Sequence, residues 1–465
     1  MSSRTGQSPA RRPTAALILL ALCLLAATAG CGGRSDFRAS ELCGAGGCEA
    51  PLDGPLRVEL LEPSAGARVG EGRALQVAGA VAGGRPPYAL RWDLDGAPLP
   101  DRTASPGPVV FPEAGLRTLG LTAFDAAGGY ARATVTVHVE DLAGGWRPYF
   151  GHLHNHYGLT DADSVAEALA WARDDAGLDF VALTDHSTHL TADDWELWRQ
   201  VALTATEPGV FAVIRGFEWS HPSAGHLCVF DTADYTAATD PDDWSLFVTD
   251  WLVPQGGIAM FNHPGREPDA FDDFAFLPGD GEALVAIETA NRSWGNASNH
   301  YQPYYLQALD QGWRVAPTAS LDNSGPSAVP HRTVFWAPAL TADDLLGALR
   351  ARRVYSTDDP GLELAFRCGD AWMGDTVRLT APGPVEFLAR AADDEPIARL
   401  ELVTAGGRVA AAVEPPPGAR RFVWFPVVDV REDAWFFLRA TLVDLQDDEA
   451  PFQVAVTAPI FFDVD

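Results

Sequence analysis

The chain has 465 residues, with 33 Lys+Arg against 63 Asp+Glu and a formal charge of −30, which excludes a basic face for nucleic acid. Every basic residue is arginine, so Schiff-base chemistry and a P-loop lysine are absent, and neither G-x-S-x-G nor G-x-G-x-x-G occurs. At 47% hydrophobic residues the chain can fill sizeable cores, and its length predicts two to four domains.

The first segment reads as an export signal. Arg4, Arg11 and Arg12 precede the apolar run Ala15 to Ala27, which is too short for a transmembrane helix, and small residues lead into Cys31. This pattern resembles a bacterial lipobox, with Thr28 where leucine is usual, and it predicts residues 1–31 as a lipoprotein-type signal ending at a lipidated Cys31. Loss of three arginines and no acids would take the net charge from −30 to −33. The predicted location is the bacterial cell envelope, with a lipid membrane as partner through Cys31; ordinary secretory cleavage is the alternative. Cys43 and Cys48 are close enough for a small disulfide loop, whereas Cys228 and Cys368 read as small buried apolar residues.

Residues 32–54 are rich in Gly, Ala, Ser and Pro without an apolar period and predict a flexible tether. From 55 to 141 short β-type runs such as ALQVAGAV, YALRWDLDG and YARATVTVHVE predict a small sandwich with Trp92 in its core. Its WDLDG turn offers Asp93 and Asp95, readable as calcium ligands or as a solvated turn. From 146 to 358 apolar strands alternate with helices whose starts carry capping boxes, Ser164/Glu167, Thr191/Asp194 and Thr341/Asp344. This alternation predicts an α/β barrel or sheet. Residues 359–465 return to β-type runs and predict a C-terminal β-sandwich.

Ten of the eleven histidines fall between His152 and His331. His186, Glu218, His263 and Asp322 each lie at or just beyond the C-terminal end of an apolar run, where strands of a parallel barrel share one rim. The segment YFGHLHNHYGLTDAD places His152, His154 and His156 at alternating positions ahead of Asp161. Side chains at i and i+2 of a strand share a face, so two such imidazoles can grip one ion. Imidazole mixed with carboxylate is the donor set of zinc, manganese or iron.

These motifs resemble the polymerase and histidinol phosphatase (PHP) superfamily, and within it the CehA/McbA-type metallohydrolases. The resemblance covers 147 to about 375 and rests on H-x-H with Asp at 154, 156 and 161, Thr184-Asp185-His186, Gly216-Phe217-Glu218-Trp219, Gly225 to Phe230, and Asn262-His263-Pro264. It implies a distorted (β/α)7 barrel flanked by the N-terminal Ig-like and C-terminal β-sandwich modules. The family's closing D-N-H reads Asp322-Asn323-Ser324 here, so a hydroxyl replaces the last imidazole. The resemblance then implies that His154, His156, Glu218 and Asp322 hold one ion, and Glu218, His226 and His263 a second. Asp161 and His186 would share a third site that is weak, absent or rescued by His331. Asp185, His186 and Glu218 are the implied catalytic groups.

Arg266 follows the N-H-P motif and reads as a bidentate phosphate contact or as a salt bridge. His152 is a candidate substrate contact, as are His189, His221 and His300, and Glu288 ends a strand without an assigned role. Two divalent ions suit hydrolysis of a small phosphate ester by an activated water. Cleavage of a carbamate, amide or ester by the same centre, and a non-catalytic metal-binding surface lipoprotein, are the alternatives. The strong negative charge favours a small-molecule substrate over polyanions.

Overall fold

The computed structural model describes residues 54–465, apart from 101–102, 142, 159–161, 238–242, 268–269, 294–296, 323–330 and 446–451. The readings of Cys31, Cys43, Cys48, Asp161, Asn323 and Ser324 lie outside these residues. No helix among the described residues is long and apolar enough to cross a membrane.

The N-terminal β-type runs form strands in two sheets. One orders Arg57–Glu62, Ala74–Ala82 and Gly107–Val110, and the other centres on Gly115–Phe124 between Ala89–Leu94 and Tyr130–Glu140. Alternation turns Val77, Trp92, Leu119, Leu121 and Val135 into the core between them, and Trp92 Nε1 donates to the Thr103 carbonyl at 2.8 Å. Asp93 and Asp95 face arginines rather than an open turn: Asp93 accepts two bonds of 2.7 Å from Arg132, and Asp95 lies 3.4 Å from Arg117.

The histidine-bearing strands of residues 146–358 lie in one 16-stranded sheet. Arg147–His152, Phe180–Leu183 and Ala212–His221 run parallel, as the βα reading predicts. Gly225–Phe230 then pairs antiparallel with Ala212–His221, and Ile258–Phe261 pairs antiparallel with Gly225–Phe230, so a hairpin replaces a helical crossover. Leu284–Ser293 restores parallel pairing with Ile258–Phe261 and with Ala316–Ser320.

Among the described residues no closed barrel forms. Ala316–Ser320 has a ladder only to Leu284–Ser293 among the described residues. Its far side meets the residues after Arg147–His152, and Thr333 of a later strand, through isolated side-chain and turn bonds: Leu153 N donates to Ser320 Oγ at 3.1 Å, Asp322 N to the His154 carbonyl at 2.9 Å, and Ala319 N to Thr333 Oγ1 at 2.9 Å. The free edge of Arg147–His152 is taken instead by Arg332–Ala337, which runs antiparallel to it and passes the sheet on to Val354–Thr357. That strand pairs with Phe452–Thr457, so the ladder runs across position 358 into the C-terminal strands.

Helices cover this sheet through apolar stripes, with Trp198 from Ala192–Ala205 and Leu345 and Leu349 from Ala342–Arg350 fully buried. Two of the three capping readings hold. Thr191 and Asp194 form a complete box, and Thr341 accepts from Asp344 N at 3.1 Å. The first helix begins at Ala162, ahead of Ser164, so Ser164 lies within its first turn rather than at its N-cap.

Candidate metal centre

Glu218 is the hub. It lies on Ala212–His221, where alternation sends Phe217 and Trp219 into an apolar core and turns Glu218 and Ser220 to the opposite face. Its carboxylate is fully buried, yet five imidazoles surround it. His154 Nε2 lies 3.2 Å from Oε1, His226 Nδ1 3.1 Å and His263 Nε2 3.4 Å, while His186 Nδ1 lies 2.5 Å and His156 Nε2 3.6 Å from Oε2. Asn262 Nδ2 donates to Oε1 at 2.8 Å and Ser220 Oγ to Oε2 at 3.2 Å.

Asp322 approaches from the end of Ala316–Ser320, with Oδ1 3.3 Å from His154 Nε2 and 3.2 Å from His156 Nε2. The two groups that the sequence reading assembles are therefore brought together, the first as His154, His156, Glu218 and Asp322, the second as Glu218, His226 and His263. His186 contacts Glu218 and stacks on His156 with ring centroids 4.4 Å apart, while Asp161, its expected partner in a third site, lies outside the described residues. His331 is not brought to this cluster: its Nδ1 lies 2.9 Å from Asp358 Oδ1, and it joins none of the donor groups among the described residues.

Two groups that the sequence reading left without a role complete the surroundings. Glu288 Oε1 lies 3.0 Å from His154 Nδ1, and its Oε2 accepts from His263 N at 2.6 Å and from Asn291 Nδ2 at 3.1 Å. Glu267 Oε2 lies 3.5 Å from His263 Nδ1. A carboxylate behind the second ring nitrogen fixes the tautomer and orientation of a metal-binding histidine. Glu288 was visible as the end of a strand, but Glu267, four residues past His263 in a loop, carries no periodic signal.

His152 turns away from this cluster. Its ring is buried, with Nε2 2.8 Å from the His331 carbonyl, and burial followed by the Arg332 charge pushes its pKa down to about 3. Asp185 does not join the clustered donors either. It accepts from Gly158 N at 2.9 Å and Tyr157 N at 3.1 Å, pinning the segment after the H-x-H pair. Arg266 makes a salt bridge to Asp322 Oδ2, the ion-pair reading of that residue. His221 accepts from Ala224 N at 2.8 Å within its turn, His300 faces His331, and His189 packs against the His186 ring edge.

The donor chemistry fits a divalent ion. Four overlapping triplets, His154/His156/Asp322, His154/Glu218/His263, His156/His186/Glu218 and His226/His263/Glu267, bring ligand-type atoms within 4.8 Å of one another. His154 Nε2 and His156 Nδ1 are buried without a hydrogen-bond partner, a state that normally costs stability unless something else satisfies the atoms. His263 and Asp322 also hold left-handed backbone, φ 27° and 46°, a strain that surrounding structure must maintain.

Burial alone would raise Glu218, but His154, His186 and His226 hold it well below the carboxylate range. Burial opposes charge on His154, and the Asp322, Glu288 and Glu218 carboxylates outweigh it and hold the imidazole well above the histidine range. The same contest leaves His263 raised to about 9 by Glu218 and Glu267.

No protein-family model and no curated protein matches the chain. Among solved structures, a two-domain protein from Bacteroides vulgatus containing a predicted PHP-like metal-dependent phosphoesterase is similar over 68% of this chain and 95% of its own, at 14% identity and a TM-score of 0.35. A family 39 glycoside hydrolase from Bacteroides cellulosilyticus is similar over 86% of this chain and all of its own, at 10% identity and a TM-score of 0.23. Fibronectin(III)-like modules of Clostridium thermocellum CbhA align with 18% of this chain and 97% of theirs, at 14% identity and a TM-score of 0.17. Overlaps this loose decide neither the fold nor the reaction.

Proposed function

We propose that the chain is a metal-dependent hydrolase of the PHP type, CehA/McbA branch, built on an opened version of that superfamily's barrel and acting on a small phosphate ester. The observation that carries this reading is the fully buried Glu218 carboxylate, contacted by five imidazoles from four separate strand ends. In this reading His154, His156, Glu218 and Asp322 hold one divalent ion, and Glu218, His226 and His263 another, with zinc, manganese or iron as occupants. Such ions supply an activated water near neutral pH and neutralise charge on the attacked group.

The protein's own residues then have separable tasks. Glu288 and Glu267 orient His154 and His263, and Asn262 fixes the Glu218 carboxylate. His186 has the most exposed side chain of the five imidazoles, at 36%, which places it where a leaving group can receive a proton. Asp185 positions the Tyr157–Gly158 segment beside it. Arg266, at 29% exposure, reaches the rim and can turn from Asp322 to a substrate phosphoryl oxygen.

The test is metal content of the purified full chain together with turnover on phosphomonoesters, phosphodiesters and carbamates, with His154→Ala and Glu218→Ala as controls. Bound metal with phosphoesterase turnover lost in both variants is the expected result. Carbamate, amide or ester turnover alone would move the reaction to the alternative, and bound metal without turnover would leave a binding protein. Activity surviving both substitutions would remove the site. Cys31 is proposed as the lipid attachment point in the cell envelope; Cys31→Ser should shift the protein from the membrane to the soluble fraction.

A further inference from the structure

Beyond Asn262-His263-Pro264 the chain makes a turn of the uncommon hand. Phe271, Asp272, Asp273 and Phe274 all hold left-handed backbone, at φ 58°, 49°, 54° and 62°, and none of them is glycine. Residues with a Cβ visit this region singly rather than in runs, because the Cβ crowds the following carbonyl. A run of four persists only where its surroundings over-determine it.

Those surroundings are specific. Phe271 N donates to the Ala224 carbonyl at 3.2 Å, Gln307 Nε2 to the Asp273 carbonyl at 3.2 Å and Trp313 Nε1 to the Phe274 carbonyl at 2.8 Å. Trp244 Nε1 donates to Asp272 Oδ2 at 3.3 Å. Phe271 and Phe274 are buried, while Asp272 and Asp273 between them are exposed.

The turn brings the Phe271 ring against both strands that carry the second ion's imidazoles. One contact is with Gly225, the residue before His226, where an added Cβ would collide with the ring's tip. Gly225 itself sits at φ 100°, so neither its backbone nor the space beside it admits a side chain. The other contact is with Phe261, two residues before His263, whose ring meets that of Phe271 edge to face with centroids 4.8 Å apart. Past these contacts Asn262 N donates to the His226 carbonyl at 3.0 Å, and the His226 and His263 rings lie 4.9 Å apart.

We propose that Phe271 is a positioning residue for the second ion: the left-handed turn wedges its ring against the segments ahead of His226 and His263 and so sets the separation of those two imidazoles. This rests on the reading of Glu218, His226 and His263 as ligands of one ion. Right-handed backbone at 271 would redirect the Cα–Cβ bond and withdraw the ring, which accounts for strain being retained at this place. His154, His156 and Asp322 stand on other strands, so the first ion does not depend on the wedge.

The test uses the full chain stripped with chelator and titrated with zinc chloride against a chelating dye. Wild-type protein should bind two ions, and His226→Ala identifies the second step. Phe271→Leu should weaken that step by about 10–100-fold and leave the first in place. Phe366→Leu, an equally buried ring in the C-terminal strands, should lower the unfolding temperature without moving either step, which separates positioning from lost packing. A backbone pair leaves every ring intact: Asp273→Val, β-branched and unsuited to left-handed backbone, should weaken the second step, whereas Asp273→Gly should keep it. Two zinc steps in the wild type that are unchanged, or weakened equally, in Phe271→Leu would overturn the proposal and leave the two-ion reading standing. If Phe271→Leu does not fold, equal second-step affinity in the two Asp273 variants would overturn it. Fewer than two steps in the wild type would overturn the two-ion reading and the proposal with it.

Discussion

Two buried clusters of acid residues in this molecule meet the same electrostatic problem in opposite ways. Around Glu218 the chain supplies imidazoles, so the carboxylate stays ionised and its neighbours hold protons when no ion is present. Around Asp393, between Leu388–Ala392 and Ile397–Thr404, the chain supplies the further carboxyls of Asp359 and Asp394, and that group is pushed toward its neutral form. The first cluster is compensated by imidazoles, whereas in the second a raised pKa lets a proton take that part. Burying a charge is tolerable only when something compensates it, and the compensator differs between the two.

The sharpest way to break this contrast is Glu218→Gln. Turnover should fall on the order of 10³-fold or more, because the residue joins both donor groups. In the metal-free protein the same change should destabilise by about 3–5 kcal/mol in chemical denaturation, since it strands protonated imidazoles in a buried site. Unchanged stability would show that the imidazoles are neutral and that the two clusters are less different than described.

Next in size, Glu288→Gln and Glu267→Gln should each weaken metal affinity by about 10–100-fold in competition with a chelating dye while leaving the donor atoms in place. An effect from Glu288 alone would restrict orientation to the His154 side.

The pH dependence should also differ between the clusters. The folded pKa of Asp393 lies above its ordinary value of 3.8, at about 8. Its contribution to stability is therefore complete below about pH 4 and lost as pH rises through about 8. Asp393→Asn should flatten that decline and stabilise the protein by about 1 kcal/mol at alkaline pH, after allowing for solvent screening. Glu218 has the opposite sign: its lowered pKa contributes stability that is present above about pH 4.5 and lost on acidification.

The smallest change serves as the baseline. Thr191→Ala removes the cap of Ala192–Ala205, far from either cluster in chemistry, and should cost about 1 kcal/mol of stability with turnover unaffected.

Sequence reading reached the first cluster because its residues announce themselves locally. His154 and His156 read as alternate positions of a strand, yet Arg147–His152 ends before them and the turn beyond it carries both rings to Glu218; Glu218 and His263 end apolar runs, which is the signal that places them at the same rim. The contact of His186 with Glu218 and the His156 ring was not legible, because a T-D-H motif fixes a strand end but not which neighbour the ring will stack on. Glu267 was missed because a loop residue four positions past a histidine has no period to reveal it. The second cluster was invisible for a different reason. Asp359 and Asp393 each look like ordinary turn polarity, and only long-range pairing brings them together. Long-range pairing also decided the open sheet: nothing in RTVFWAP says that it will pair antiparallel with the first strand of the α/β region and exclude a closing ladder.

The ladder from Val354–Thr357 to Phe452–Thr457 has a practical consequence for anyone dissecting the protein. Truncation at Asp358, the natural choice for isolating the histidine-rich region, would strip the partner from Val354–Thr357 and bare a row of backbone donors and acceptors. Such a fragment should self-associate through that exposed rim, and its loss of solubility would say nothing about whether the catalytic residues were correctly chosen.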